Sequence, residues 1–347
     1  MAEADPGVVP AVESTAEDIA AMRIRGAATI ADAAAAALET QAERADADTP
    51  AAFRRQLRAA ARTLYETRPT AVSLPNALRY VLRGTAGETV ADLRASTIAR
   101  AEQFQRELAQ AQDNLGEIGA NRLRDGDTVL THCHSTDALA CLDAALEDGK
   151  ALEAIVKETR PRKQGHITAR ELRERGVPVT LIADNAARRY LDDADHVLVG
   201  ADSIAADGSV INKIGTSGLA VNARERGVPV MVAAQTIKLH PDTMTGHTVE
   251  IESRDEREVL TDEERAAITG DGADATDTDG ATAEGRDGDE STATSDEGLT
   301  VENPAFDVTP PRYVDAIVTE HGQFPPESIV ILMRELFGET TDEPWDA

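Results

Sequence analysis

Cysteine is scarce in this sequence, and long apolar runs are missing. Two cysteines, Cys133 and Cys141, are too few for a disulfide framework, so we expect a protein of a reducing compartment. No uncharged apolar stretch approaches the ~20 residues that a membrane span needs. The first residues lack a basic region followed by an apolar stretch, which argues against a signal peptide. These absences predict a soluble, cytoplasmic protein that does not associate with a membrane.

Positive charge is also in short supply. The 347 residues include 35 Lys and Arg against 63 Asp and Glu, which gives a net charge of −28. Nucleic acids and anionic membranes attract clustered Lys and Arg, so we expect neither as a partner. Aromatic residues make up only 3%. The composition is typical of a protein that works in molar salt, where the Debye length falls to ~3 Å and surface carboxylates are screened. An acidic protein from ordinary cytoplasm is the alternative.

The hydrophobic pattern changes character near residue 120. Up to that point it predicts helices, with no period-2 strand before residue 125. The predicted helices cover 13–24, an Ala-rich run that opens at 25–28 and extends to about 44, 51–66, 75–83 and 87–115. Short β-rich runs then alternate with helical segments, which favours a parallel sheet covered on both faces. The runs are 128–133, 154–158, 177–183, 196–201 and 228–234, and the helical segments are 137–148, 168–176, 185–193 and 216–227. The fold class is therefore α/β, with a helical N-terminal domain (1–120) before a parallel-sheet domain (121–347).

An acidic segment interrupts the second domain. Residues 269–298 contain no Val, Ile, Leu, Met or aromatic residue. Such a segment cannot bury enough apolar surface to become ordered. We therefore predict a disordered insert at about 261–300, after which the regular pattern resumes and ends in a helix at 326–337.

The first candidate for chemistry is the sequence THCHSTD at 131–137. In parallel sheets, ligands bind beyond the carboxyl ends of the strands, and Cys133 lies at such an end. Ser135 starts the next helix, and a helix N-terminus lowers a thiol pKa, which would favour a thiolate. A buried core cysteine followed by an ordinary helix cap is the alternative. His132, Cys133 and His134 together do not suggest a metal site, because successive strand residues face opposite sides of a sheet and all three side chains cannot converge on one ion.

The second candidate is GADSIAADGSVINKIGTSG at 200–218. Asp202 follows a predicted strand, and Asn212 and Lys213 are polar residues in an apolar stretch. The turn at 215–218 could form a phosphate cradle. A turn or capping carboxylate is the alternative for Asp202.

Several Arg and Lys residues lie next to the ends of predicted helices and strands. Arg25 stands at a helix start, Arg68 precedes a proline, and Lys238 follows the last clear strand. Their placement hints at an anionic ligand, whereas solvated surface charges are the alternative. One thiol, one carboxyl group and scattered cations suggest acid–base chemistry on a phosphorylated small molecule, and the residues alone go no further.

Four motifs resemble a known superfamily. They are RPTAVSLPNALR (68–79), GADSI…DGSVINKIGT (200–216), AAQTIKL (233–239) and DVTPPRYVDAIVTEHG (307–322). The superfamily contains methylthioribose-1-phosphate isomerase, ribose-1,5-bisphosphate isomerase, and the regulatory alpha, beta and delta subunits of the exchange factor for eukaryotic initiation factor 2. The resemblance covers about residues 20 to 345 apart from the acidic insert.

Within the superfamily, the strings around Cys133 and Asn212 look like those of the archaeal ribose-1,5-bisphosphate isomerases. The regulatory subunits generally lack the paired Cys and Asp that stand here at Cys133 and Asp202. The alternatives are a methylthioribose-1-phosphate isomerase and a non-catalytic regulatory subunit.

This resemblance implies a helical domain followed by a Rossmann-like domain. It also implies an enzyme that converts ribose 1,5-bisphosphate to ribulose 1,5-bisphosphate without a cofactor. The reaction would be a step of AMP degradation that supplies Rubisco with its substrate. The resemblance further implies a dimer-based homo-oligomer, expected to be a hexamer, and activation by AMP. Cys133 and Asp202 would be catalytic, and the substrate-binding residues would be Arg25, Gly26, Ala27, Ala28, Arg68, Ser135, Thr136, Asp137, Asn212, Lys213 and Lys238.

The expected reaction needs a proton on the ring oxygen, because the anomeric phosphate prevents the sugar from opening as a free sugar does. We assign this acid to Asp202, with a pKa raised by burial. Cys133 would remove the proton from C2 as a thiolate and so give an enol. A hydride shift from C2 to C1 is the competing route.

Overall fold

The computed structural model describes residues 7–24, 26–68, 71–249, 251–269, 298–337 and 344–345. Its first part is helical, as the sequence predicts. The helices are α1 (Pro10–Ala20), α2 (Ala27–Arg44), α3 (Pro50–Tyr65), α4 (Ser73–Arg83) and α5 (Val90–Ala120). The last of them continues five residues beyond the predicted end at 115.

Local sequence signals explain where these helices begin and how they pack. Thr49 accepts a hydrogen bond from the Ala52 N–H and so caps α3. Thr89 and Asp92 form a capping box at the start of α5. Helix α2 buries many alanines, whose small side chains allow close helix packing; they include Ala31, Ala34, Ala35 and Ala42.

After residue 120, strands and helices alternate. The strands are β1 (Thr128–Thr131), β2 (Glu153–Lys157), β3 (Val179–Ile182), β4 (His196–Gly200), β5 (Ser203–Ala205), β6 (Val210–Lys213), β7 (Val230–Ala233), β8 (Leu239–His240), β9 (Phe306–Thr309), β10 (Ala316–Thr319) and β11 (Gly322–Phe324). The helices are α6 (Thr136–Glu147), α7 (Gly165–Glu174), α8 (Ala187–Tyr190), α9 (Thr216–Arg226), α10 (Asp262–Thr269) and α11 (Ile329–Phe337).

Most of these strands join a large sheet in the order β11-β10-β7-β4-β1-β2-β3, in which only the edge pairing of β10 with β11 is antiparallel. Alternate side chains face two different cores. Val197 and Val199 of β4 belong to the core that contains Leu219 of α9, whereas Leu198 packs with Leu139 of α6. Burial on both faces explains why the central strands β4 and β7 are almost entirely apolar. The α/β fold class is thus confirmed.

A smaller sheet has the order β8-β5-β6-β9. Its β5 and β6 pair in antiparallel fashion, and neither was predicted as a strand. The segment 185–193 also differs from its predicted single helix, since α8 lies between two 3₁₀ turns, Asp184–Ala186 and Leu191–Asp193.

The described residues form two compact units. One comprises the residues up to 249 together with those from 306 onward, and the other lies within 251–305. The second unit includes α10, at the start of the predicted insert, whereas residues 270–297 lie outside the described residues. The insert and the domain boundary at residue 120 therefore stay predictions. Among the described residues, no helix has both the length and the apolar character of a membrane-crossing segment.

Candidate active site

Three polar side chains gather where β1, β4 and β6 end. Strands β1 and β4 are parallel neighbours, so Cys133 and Asp202, which follow them, lie at the same edge of the large sheet. The Cys133 thiol is buried, and this burial raises its pKa to about 11. The His134 N–H and the Lys213 ammonium act in the opposite direction, whereas the Asp202 carboxylate raises the pKa further. The structure therefore brings together the thiol, carboxylate and ammonium groups that the sequence predicts as site residues.

The electrostatic state of the thiol differs from the prediction. The sequence predicts a thiolate favoured by the N-terminus of α6. Burial of Cys133, which leaves 9% of the residue exposed, has a larger effect than the nearby N–H group. The free protein consequently holds a neutral thiol beside a carboxylate at neutral pH. Asp202 itself is exposed, which differs from the buried position expected for it.

Gly200 keeps the two strand ends close. A Cβ atom at this position would lie 2.1 Å from Ser135 Oγ and 2.6 Å from Ser135 Cβ. Ser135 is the cap of α6 and accepts a hydrogen bond of 3.2 Å from the Ala138 N–H. Gly200 is two residues before Asp202 and Ser135 is two after Cys133, so this close approach lies beside both the carboxylate and the thiol. Thr136, the next predicted substrate contact, is exposed at the start of α6.

Asp137 contacts a cation that follows β7. Its carboxylate accepts hydrogen bonds from Lys238 Nζ (2.8 Å), Gln235 Nε2 (2.8 Å) and the Gln235 N–H (3.2 Å). Asp137 is only 1% exposed. A buried carboxylate with these partners fixes the position of Lys238, and the predicted contact of Asp137 with substrate stays a prediction.

The turn at 215–218 is already occupied by a carboxylate. Asp307 accepts hydrogen bonds from the Gly215 N–H (2.7 Å) and the Ser217 N–H (3.1 Å) at the start of α9. The predicted phosphate cradle is therefore wrong for these two N–H groups. Burial raises the pKa of Asp307, whereas the two N–H groups and Lys157 oppose that rise.

Asn212 and Lys213 end β6, which pairs with β9 so that Asn212 lies opposite Asp307. Asn212 Nδ2 donates to Thr216 Oγ1 at 3.0 Å. The Lys213 ammonium also lies 4.7 Å from the centre of the Phe306 ring.

The two histidines that flank Cys133 have different partners. His132 is 1% exposed, and its Nε2 lies 2.9 Å from the Ile214 carbonyl oxygen. Burial, reinforced by Lys157, lowers the pKa of His132 to about 3, so the ring is neutral. His134 Nδ1 lies 3.1 Å from Thr168 Oγ1, and its Nε2 lies 3.8 Å from Glu171.

The structure describes all but one of the substrate-binding residues predicted in the helical region. Arg25 lies outside the described residues. Gly26 precedes α2 with φ +92°, and Ala27 and Ala28 begin that helix. Arg68 is half-buried between α3 and α4. Both α2 and α4 pack against the turn Thr236–Lys238, which brings the helical region to the edge of the sheet that carries Lys238.

Helix α4 contacts the same turn through a residue that the sequence analysis did not select. Asn76 Nδ2 donates to the carbonyl oxygens of Ile237 (2.9 Å) and Leu239 (2.7 Å). Thr159 and Asp184, which follow β2 and β3, were also missed. Their position after strand ends was the available signal, since polar residues there lie at the same edge as Cys133.

The fold defines an α/β protein with a parallel sheet, and its candidate ligand site lies beyond the carboxyl ends of the strands. The chain belongs to the Initiation factor 2 subunit family, whose sequence model matches residues 23–326.

Relatives with known names extend over the whole chain. A ribose 1,5-bisphosphate isomerase of Haloterrigena turkmenica is 77% identical over 346 residues, with 100% of both chains covered. One of Haloferax volcanii is 66% identical and covers 98% of this chain and 97% of its own. Among solved structures, the Pyrococcus horikoshii OT3 translation initiation factor eIF-2B is 28% identical and has a TM-score of 0.69, with 93% of this chain and 99% of that chain covered.

Proposed function

We propose that this chain converts ribose 1,5-bisphosphate into ribulose 1,5-bisphosphate. The observation that carries the proposal is the cluster of the Cys133 thiol, the Asp202 carboxylate and the Lys213 ammonium at the sheet edge. The identity of 77% over the full length to a ribose 1,5-bisphosphate isomerase supports it. The cluster supplies a proton donor, a proton acceptor and a cation, which an aldose–ketose isomerisation of a sugar phosphate requires.

The proton balance of the reaction fits a thiol and a carboxyl group. Asp202 in its acid form gives a proton to the ring oxygen as the C1–O bond breaks. Cys133 as a thiolate takes the proton from C2, and the resulting enol receives a proton at C1. Asp202 then takes the proton of the C2 hydroxyl group as the ketone forms, which restores both groups. In the hydride route, the hydrogen of C2 moves to C1 directly and Cys133 does not exchange a proton with carbon.

The resting pair already holds the one proton that this cycle needs. A neutral Cys133 thiol with an Asp202 carboxylate has the same number of protons as a thiolate with an acid. Formation of the reactive pair requires transfer of this proton from Sγ to the carboxylate, and the raised pKa of the buried thiol, about 11, opposes that transfer. Lys213, which lowers the pKa of Cys133, stabilises the thiolate after this transfer.

Cations on both sides of this pair would bind the two phosphates. Phosphate groups prefer charge-assisted hydrogen bonds and N–H groups at helix starts. Lys213 and Lys238 lie on the sheet edge, and Asp137 and Gln235 orient Lys238. We propose that they act with Ser135, Thr136 and Asn212, and with Arg25–Ala28 and Arg68 from the helical domain (1–120).

The direct test is an assay by NMR in high salt with ribose 1,5-bisphosphate. We expect Cys133→Ala and Asp202→Asn each to lower kcat by ~10²–10⁴-fold, because each removes a positioned acid or base. Cys141→Ala is the matched control. Cys141 is also buried and free of a disulfide, but it lies inside α6 and not at the end of a strand. Near-wild-type turnover in the Cys133→Ala, Asp202→Asn double variant would refute the assignment. Deuterium at C1 after reaction in D₂O would indicate the enol, and its absence the hydride route.

The alternatives are separated by the same assay. A methylthioribose-1-phosphate isomerase would turn over a substrate with one phosphate and an apolar tail, which a site with cations at both ends should reject. A regulatory subunit would show no isomerase activity and would copurify with initiation factor 2.

We propose further that the protein is cytoplasmic, is activated by AMP and forms a dimer-based homo-oligomer, expected to be a hexamer. Light scattering in molar KCl measures the oligomer, and kinetics with and without AMP measure activation.

A further inference from the structure

Cys133 has an unusual backbone conformation for a residue with a side chain. Its φ is +69°, in the left-handed region. This region is unfavourable for any residue that carries a Cβ atom, because Cβ approaches the carbonyl oxygen. Such a conformation persists only where neighbouring groups hold it, and it is commonly found at functional sites.

Two threonine hydroxyl groups hold the backbone of Cys133. The Cys133 N–H donates to Thr159 Oγ1 at 2.9 Å, and Thr168 Oγ1 donates to the Cys133 carbonyl oxygen at 2.8 Å. Thr159 is 1% exposed, and its own N–H donates to Asp184 Oδ1 at 2.9 Å. Asp184, which follows the neighbouring strand β3, thus fixes the backbone of Thr159, whose hydroxyl group binds the Cys133 N–H.

The direction of the Thr159 hydrogen bonds follows from its neighbours. His132 Nε2 faces the Ile214 carbonyl oxygen, an acceptor, so this nitrogen carries the hydrogen of the neutral ring. His132 Nδ1 is therefore an acceptor, 3.2 Å from Thr159 Oγ1, and the Lys157 carbonyl oxygen is another at 3.1 Å. The hydroxyl hydrogen points toward these two acceptors, which leaves an oxygen lone pair for the Cys133 N–H.

We propose that Thr159 is a positioning residue for the thiol of Cys133. Its hydroxyl group, oriented by His132 and Lys157, holds Cys133 in the left-handed conformation that places Sγ beside Asp202 and Lys213. Because Thr159 is only 1% exposed, its effect on the reaction would act through Cys133. The proposal rests on the proposed function for its kinetic readout, and a chemical readout of the thiol tests it independently.

The test compares Thr159→Val, which keeps the shape and removes the hydroxyl, with Thr159→Ser, which keeps the hydroxyl. We expect the valine variant to lose about 10- to 100-fold in kcat with little change in KM, because a small displacement of a reacting group has effects of this size. The serine variant should stay within about threefold of the wild type. Thr97→Val is the matched control, since Thr97 is a fully buried threonine in α5. Thermal unfolding of each variant shows that activity is measured on folded protein.

Alkylation of Cys133 by iodoacetamide, quantified on its peptide by mass spectrometry, gives the second readout. The hydrogen bond from the Cys133 N–H to Thr159 Oγ1 limits local opening of the backbone around Cys133. Its loss should raise the alkylation rate at pH 8 about tenfold in Thr159→Val but not in Thr159→Ser. This readout does not depend on the substrate, so it decides the positioning role even if the isomerase assay fails. If Thr159→Val does not fold, Thr159→Ala replaces it, because alanine and serine differ only by the hydroxyl oxygen. The proposal is overturned if valine or alanine matches the wild type, if serine is as impaired as valine, or if Thr97→Val has the same effect.

Discussion

Lys238 Nζ and Asp137 Oδ2 lie 2.8 Å apart, with 14% of the lysine side chain and 1% of the aspartate side chain exposed. The two residues are 101 positions apart in the sequence, on the turn after β7 and at the start of α6. A buried pair of this kind is costly to break, because one removed partner leaves the other charge without compensation. Loss of the pair should therefore both destabilise the protein and displace Lys238, which we propose binds a phosphate group of the substrate.

Removal of this carboxylate should affect both stability and substrate binding. We expect Asp137→Ala to lower the free energy of unfolding by about 3–5 kcal/mol and to raise KM, because Lys238 and the Gln235 amide lose their partner. Denaturant unfolding and steady-state kinetics measure these changes. Asp148→Ala is the control, since its ion pair with Lys150 is 3.3 Å long and more exposed, and such pairs contribute at most about 1 kcal/mol. Equal effects of the two substitutions would contradict the assignment.

A methyl group at Gly200 should separate Cys133 from Asp202, the proposed catalytic pair. We expect Gly200→Ala to lower the free energy of unfolding by about 1–3 kcal/mol, because the added Cβ would overlap Ser135. Activity should fall as well, since the ends of β1 and β4 must move apart. In contrast, Gly218→Ala adds a Cβ to α9 where no atom lies within 4 Å, and it should stabilise the helix by up to ~1 kcal/mol. Wild-type activity in a folded Gly200→Ala protein would show that this contact does not set the geometry.

Acid should destabilise the protein through His132. Burial lowers its pKa to about 3 in the folded state, against 6.5 as the ordinary value. Below pH 6.5 the unfolded chain binds a proton that the folded protein excludes, so the free energy of unfolding falls as the pH decreases toward 3. Between pH 6.5 and 4.5 the wild type should lose about 2–3 kcal/mol more than His132→Asn, which has no titratable group there. Urea unfolding at several pH values measures how the free energy of unfolding of the wild type and of His132→Asn depends on pH. The same pH dependence in both proteins would exclude a buried neutral histidine at position 132.

Salt should stabilise the folded state. With a net charge of −28, the protein has strong repulsion between surface carboxylates, and compact folding brings them closer. At 1 M salt the Debye length is ~3 Å, so this repulsion is largely screened. We expect the unfolding temperature to rise steadily from 0.1 M upward in KCl titrations followed by circular dichroism. A melting temperature independent of KCl would argue against the high-salt interpretation of the composition.

The alternation of strands and helices could be predicted because its signal is local. The continuous apolar runs of β1, β4 and β7 and the amphipathic helices between them are properties of neighbouring residues. The position of Cys133 and Asp202 at strand ends followed from the same pattern, because parallel strands end at one edge. The hairpin of β5 and β6 was missed because β5 has only three residues and β6 ends in Asn212 and Lys213, polar residues that the sequence analysis considered only as candidate site residues.

The site itself was only partly predictable. Thr159 and Asp307 act on the segments of Cys133 and Gly215 from distant positions in the chain, and no local pattern connects them. Asp137 was expected to bind substrate, yet its place in the fold gives it a lysine and a glutamine as partners.

The amino-acid sequence by itself determined the order of helices and strands, the acidity of the surface and the residue types available for proton transfer, because these depend on composition and short-range periodicity. Tertiary structure decided that the Cys133 thiol is neutral, that Lys238 is held by Asp137 and that the start of α9 is filled by Asp307. Desolvation and charge pairing depend on which distant segments pack around a group, and only the folded chain brings those segments together.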